Sequence, residues 1–384
     1  MNLPMKKIRK IQIAAVSLLL VVVMMIGAGC SCSAQVTQEG WAPAAIGADN
    51  VYLATSEGTL VTLSKLNGNK TAEDIKVNTG NTAAGILSCG MAGKGTVIYG
   101  TPYINGDLIS VAGYDGMVYT YSITTHLSNS IQLDEDKGMA IVGGIVGDGD
   151  ILYIPCSDGC VYALNSLSLT REWSFETGDK VWATPVLDNG TLYVASFDSK
   201  VYALDASDGT LKWSYETNGP IMASPVVDNG VVYVCSFDRT IHALNAADGS
   251  LKWNFTGSGE NVPSKWFWAT PIIASGYLCA PNMDGTLYVL KVETGELAYA
   301  FMYEGQLSSS PVAVDDIVYL ATENGVLCSV DLSHGVSLQL HDFENTIDSG
   351  LVIDGDVIYV HTQTKESLFA VNRNNGLVSW YYEV

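Results

Sequence analysis

The sequence predicts an all-β protein: an eight-bladed β-propeller built from four-stranded antiparallel blades. Three observations carry that expectation. A strand-centre position recurs at Tyr52, Ser110, Tyr153, Tyr193, Tyr233, Cys279, Tyr319 and Tyr359, in steps of 58, 43, 40, 40, 46, 40 and 40 residues. Five residues later comes a turn position, as in Asp115-Gly116, Asp158-Gly159 and Asp284-Gly285. A second turn glycine follows, and four residues beyond it lies Trp213, Trp253 or Trp380. A repeat near 40 residues must be recognised before local structure, because each unit completes its core only against its neighbours.

The chain begins with an element outside that repeat. Lys6, Lys7, Arg9 and Lys10 form a positive end, Ile11 to Ala28 is apolar except for Gln12 and Ser17, and small residues lead into Cys30. This order resembles a bacterial lipoprotein signal, with residues 1–29 removed and the Cys30 thiol carrying the lipid. Gly27 stands where such signals usually carry Leu. The alternative is an uncleaved anchor, since this run of 18 residues lies near the lower limit of the roughly 17–25 that span a bilayer. Either reading places the remainder outside the cytoplasm, because the positive end stays inside. Residues 30–40 then form a short tether and 41–384 the propeller.

Within a unit, the turn residues are Glu57, Asp115, Asp158, Asp198, Asp238, Asp284, Asn324 and Thr364. Asp-Gly between β-branched and apolar runs marks a hairpin, because the turn needs positive φ. Pro102, Pro185, Pro225, Pro271 and Pro311 stand eight residues before the anchor, at the start of another strand, where a missing N–H is tolerated. The second turn is marked by Gly68, Gly209, Gly249, Gly295, Gly335 and Gly376. Segments such as WATPVL, TLYVAS, KVYALD and TLKWSYE therefore read as the four strands of one blade. Period-two alternation excludes a helical solenoid. Radial stacking buries both faces of each sheet and leaves short protected edges. GWAPAAIG opens the ring and GLVSWYYEV ends it, so the ends meet as neighbouring blades or by sharing one.

ALDASDGTLKW (203–213) and ALNAADGSLKW (243–253) resemble the tryptophan-docking motif of the PQQ-like, or quinoprotein-type, propeller repeat family. The likeness is sharpest over 151–300 and extends loosely over 41–384. It implies that Trp173, Trp213, Trp253 and Trp380 pack between blades. The Trp-Asp strand ending of WD40 propellers is absent. An eight-bladed extracytoplasmic lipoprotein of this length is similar to the BamB-like propellers of outer-membrane β-barrel assembly. Such a resemblance implies a monomeric, non-enzymatic scaffold that binds a protein partner.

Some members of the wider family are dehydrogenases that use pyrroloquinoline quinone and calcium. For these the resemblance requires an adjacent cysteine pair, a calcium site and a catalytic aspartate. No adjacent cysteine pair occurs, and the recurring Asp residues sit where hairpin geometry already accounts for them. We therefore expect neither the quinone nor Ca2+, and assign no catalytic, cofactor or metal residue. The five histidines have no paired ligand spacing, and His242 stands where other units carry Tyr162 or Tyr202.

Composition agrees with a folded, non-nucleic-acid-binding body. Of 384 residues, 48% are hydrophobic and 15% charged, which excludes a disordered chain. The net charge of −21 falls to −25 without residues 1–29, so the cationic footprint that nucleic acid requires is missing. Any charged partner is expected to be basic. Among the cysteines, Cys156 and Cys160 flank one hairpin, either as a disulfide or as two buried thiols. Two irregularities interrupt the repeat. Residues 81–94 form an inserted Gly/Ala-rich loop, and SGENVPSKWFW places Trp266, Phe267 and Trp268 together. These aromatics are expected to form a partner-binding loop, or at least one of them to plug the channel or cap the core. The alternatives to a scaffold are a quinone- or metal-dependent oxidoreductase and a sensor of small ligands or polysaccharides.

Overall fold

A computed structural model describes residues 42–77, 96–133, 139–257 and 259–384. The signal, Cys30, the tether and the 81–94 loop lie outside the described residues. Every element that is described is a strand, and the strands form eight antiparallel four-stranded sheets. Blade 4 is typical: Val186–Asp188, Thr191–Ala195, Lys200–Asp205 and Leu211–Glu216 pair in sequence order from the axis outward.

Alternation along the two central strands builds the interfaces between blades. Leu192, Val194 and Leu204 pack towards blade 3, against Tyr153, Val161 and Ala163. Their neighbours Tyr193, Ala195, Val201 and Ala203 pack the other way, against Val232, Val234 and Leu244 of blade 5. A one-residue slip would exchange these two faces, so burial on both sides fixes the register. The outer strand is half solvated: Leu211 is exposed while Trp213 is buried.

The tryptophans join adjacent blades. Trp173 Nε1 donates to Ala206 O at 3.1 Å, Trp213 Nε1 to Ala246 O at 2.9 Å, and Trp253 Nε1 to Val292 O at 2.9 Å. Each ring covers the second-turn glycine of the following blade. A Cβ on Gly209 would lie 2.6 Å from Trp173 Cε3, and one on Gly249 equally close to Trp213 Cε3. Both glycines also have positive φ, so they satisfy two demands at once. The recurrent tyrosines share the same acceptor carbonyls: Tyr153 donates to Ala206 O at 3.0 Å and Tyr193 to Ala246 O at 3.4 Å. Gly-x-x-x-Trp thus spans two interfaces, receiving one ring and sending the next.

Each terminus builds its own blade. Ala45–Ile46 to Ile75–Lys76 form blade 1, and Val352–Asp354 to Val378–Glu383 form blade 8. Of the two modes of closure, the chain uses neighbouring blades rather than a shared sheet. Val51, Leu53, Val61 and Leu63 meet Tyr359, Leu368 and Ala370 in a core like the other interfaces. Trp380 Nε1 donates to Lys65 O at 2.9 Å, Lys65 pairs with Asp354 at 2.6 Å, and Ser56 N and Oγ donate to Glu366 at 2.7 and 2.6 Å.

The hairpin aspartates of blades 4, 5 and 6 act as three-way ties. Asp198 Oδ1 accepts from Lys200 N at 2.9 Å, and its Oδ2 accepts from Tyr202 OH at 2.5 Å and Gly178 N at 2.6 Å. In blade 5, His242 Nε2 takes the tyrosine's place 3.3 Å from Asp238 Oδ2, a structural role. Cys156 and Cys160 are both free thiols in this structure. Cys156 Sγ donates to Met139 O at 3.6 Å, and both cysteines pack on the core between blades 2 and 3.

Candidate functional site at the channel mouth

Eight inner strands converge on an axial channel of about 580 Å3, to which every blade contributes. Small residues permit this convergence, and a belt of hydrogen bonds holds it. Gly144 N donates to Thr184 Oγ1 at 2.8 Å, Thr184 N to Ser224 Oγ at 3.0 Å, Ser224 N to Thr270 Oγ1 at 3.3 Å, and Thr270 N to Ser310 Oγ at 3.1 Å. These hydroxyls precede prolines or align with them. The recurring unit is therefore Ser/Thr-Pro, of which only the proline was recognised in the sequence. The hydroxyl satisfies the next blade's N–H, so the inner strands begin just past proline: Val186 rather than Trp182 in blade 4.

At one end, the central hairpins meet the links that enter each blade. Phe197 N donates to Lys180 O at 2.9 Å, Phe237 N to Pro220 O at 2.9 Å, Met283 N to Trp266 O at 3.2 Å, and Glu323 N to Gln306 O at 2.9 Å. This clasp arranges one side chain per blade around the mouth. The ring position is Tyr114, Ser157, Phe197, Phe237, Met283, Glu323 and Gln363 in blades 2 to 8. Its chemistry differs around the circle while the backbone contact repeats.

The irregular 266–268 segment completes an aromatic crescent on blades 4 to 6. Trp182 contacts Phe197 at 4.8 Å between ring centroids, Phe197 contacts Phe237 at 6.2 Å, and Phe237 contacts Trp266 and Trp268 at 5.7 and 6.1 Å. These five rings are half-buried. The three adjacent aromatics are therefore divided in role. Phe267 is 0% exposed and packs with Phe255 and Tyr288 in the core, so it offers a partner no surface. Trp266 and Trp268 alternate to the other side, and Trp268 lines the channel with Trp182. Phe197 and Phe237 were missed in the sequence, although comparison of the residue four past each anchor would have exposed them.

Blades 7 and 8 give the mouth an acidic side. Asp348 lines the channel and accepts from Ser308 Oγ at 2.7 Å. Burial pushes its carboxyl above the usual aspartate range, with the Ser308 hydrogen bond opposing the rise. Glu323 is also pushed up, first by burial and then by the Asp348 charge, against a 2.7 Å hydrogen bond from Gln306 Nε2. The mouth is thus bipolar, aromatic across one arc and carboxylate across another. Among the described residues, no three His, Cys, Asp or Glu side chains form a group suited to holding a metal ion.

The fold and its tryptophan docking define the class: an eight-bladed propeller of PQQ-like repeats. The family profile described as "Outer membrane protein assembly factor BamB" matches residues 157–382, more than half of the chain, and the chain belongs to that family. Among solved structures, BamB from Moraxella catarrhalis is similar with a TM-score of 0.62 and 20% identity, covering 74% of this chain and 88% of that one. The computationally designed Ika8 protein is similar with a TM-score of 0.70 and 16% identity, covering 90% and 97% respectively. At these identities both likenesses concern the fold. No curated protein sequence matches the chain.

Proposed function

We propose that this protein is a non-enzymatic, lipid-anchored scaffold of the cell envelope that docks a protein partner at its channel mouth, in a role related to outer-membrane protein assembly. Family membership supports the assembly context. The observation that carries the docking face is the crescent of five half-buried aromatic rings on an otherwise hydrogen-bonded rim. Aromatic side chains supply large contact area with little entropy to lose, and they dominate interface hot spots. The lipid on Cys30 would hold the chain at a membrane, since its net charge opposes adsorption to anionic headgroups.

The oxidoreductase alternative fits the channel poorly. Calcium takes about six to eight oxygen ligands, usually with several carboxylates. Asp348 is the single carboxylate among the described channel-lining residues, and the Thr184, Ser224, Thr270 and Ser310 hydroxyls already accept the belt's N–H groups.

Two experiments test this reading. Replacing Trp266 and Trp268 with Ala leaves a folded propeller that loses its partner in crosslinking from native membranes; an unchanged partner set refutes the docking face. Cys30→Ser moves the protein out of the membrane fraction and abolishes incorporation of labelled fatty acid. Retention in the membrane with no label in the wild type refutes the lipid anchor.

A further inference from the structure

Asp348 is a half-buried acid on the wall of an open channel, and its own fold does little to compensate it. Ser308 Oγ supplies its hydrogen bond. No described Lys, Arg or His makes an ion pair with it. Lys265, exposed beside Trp266, lowers the carboxyl of Glu323, whose own charge works against a second acid nearby. A carboxylate partly withdrawn from water without a counter-charge is unfavourable, and a cation entering the channel would relieve it. Trp268 and Trp182 share the wall of the same cavity. The crescent already attracts one cation of this chain: Lys180 Nζ lies 5.3 Å over the Trp182 ring.

We propose that the channel mouth is a receptor for one basic side chain of the docked protein, an arginine before a lysine, with its head at Asp348 and its stem and plane on the aromatic side. This inference rests on the docking-face reading above and names the chemistry of the partner segment. Guanidinium suits both halves of the site, because it is planar, weakly hydrated, pairs with carboxylate and stacks on aromatic faces. A divalent metal would leave the aromatic half unused and would find one carboxylate among the described lining residues where it needs several. The chain's net charge of −21 favours approach of a basic segment and of few acidic ones.

The test uses the full purified chain and N-acetyl-arginine methylamide, with the uncharged citrulline analogue and calcium chloride as comparison arms, followed by tryptophan fluorescence. The arginine probe should saturate with a dissociation constant on the order of 1 mM. Asp348→Asn should weaken it by about fivefold or more, as loss of a charge-assisted contact requires. Asp348→Ser is the second variant, and far-UV circular dichroism establishes that each remains folded. The citrulline analogue should not saturate. Equal response to citrulline, equal affinity in the folded Asp348 variants, or saturation by calcium in preference to the arginine probe overturns the proposal. In native membranes the arginine probe should also reduce partner crosslinking where citrulline does not. If Trp268→Ala abolishes crosslinking but Asp348→Asn leaves it unchanged, the docking face stands and the basic-side-chain site falls. If neither variant changes it, both fall.

Discussion

The contact between Trp213 and Gly249 shows how one residue pair joins two blades. The indole is buried, its N–H is satisfied by Ala246 O, and its ring covers a glycine with φ of +72°. Trp213→Ala should destabilise the protein by about 3–5 kcal/mol in denaturant titration, the range for removing a large core aromatic. Gly249→Ala should also destabilise, because its Cβ meets the ring and its φ disfavours a side chain. By the same reasoning Ser199 and Arg239 hold φ values of +72° and +70° at the turn position that is glycine in five other units. Relief of that strain, about 1–2 kcal/mol, exceeds the unfolded-state entropy that glycine adds, about 0.4–1 kcal/mol. Arg239→Gly should therefore raise the denaturation midpoint; a lowered midpoint would contradict the account. The tryptophans and glycines were legible because they recur at fixed spacing. Phe197 and Phe237 were not, because each stands alone in its unit and is joined to Trp266 only by the fold.

Among the elements, the inner strands depend least on their own sheet and most on the belt around the channel. Thr184→Val removes the acceptor for Gly144 N while keeping the shape, so it should cost about 1–3 kcal/mol. The corresponding Ser224→Ala should behave alike, since Ser224 Oγ accepts from Thr184 N. The strands and hairpins of the blades were readable from Asp, Gly and alternation because those signals act locally. The belt was not, since a Thr before a Pro reads as an ordinary strand start until the next blade is beside it. The cysteines illustrate the same boundary. Spacing put Cys156 and Cys160 on either side of one hairpin; both pack on the core between blades 2 and 3, where burial pushes the Cys156 thiol up to about 12. Native-state alkylation should therefore leave Cys156 unmodified, and unfolding should release it.

At the scale of the whole molecule, closure between blades 8 and 1 is the joint between the first and last blades of the chain. It includes a buried polar clasp: His361 Nδ1 lies 3.0 Å from Ala42 O, and His361 Nε2 lies 3.4 Å from Glu366, which also accepts from Ser56. Burial alone would raise the Glu366 carboxyl, but its contacts with His361 and Ser56 outweigh that and hold it below the usual glutamate value. A depressed carboxylate contributes stability above its unfolded value, about 4.3, and loses it as pH falls through the folded value. Wild-type stability should therefore fall below about pH 4.3 more steeply than that of Glu366→Gln, which has lost the titrating group. Parallel pH curves would remove Glu366 from closure. Eight units were countable in the sequence, whereas the mode of closure was not, because it depends on which strands pair across the two ends.

The propeller offers two rival surfaces for a partner: the aromatic mouth, and the outer strands with their exposed apolar residues such as Met302 and Leu338. A photo-crosslinking amino acid placed in living cells at Phe237 and Met283 on the mouth, and at Met302 and Leu338 on the outer rim, separates them directly. Docking at the mouth predicts discrete protein crosslinks from Phe237 and Met283 that disappear when Trp268 is replaced by Ala. Crosslinks confined to Met302 and Leu338, or mouth crosslinks that are indifferent to Trp268, would contradict it.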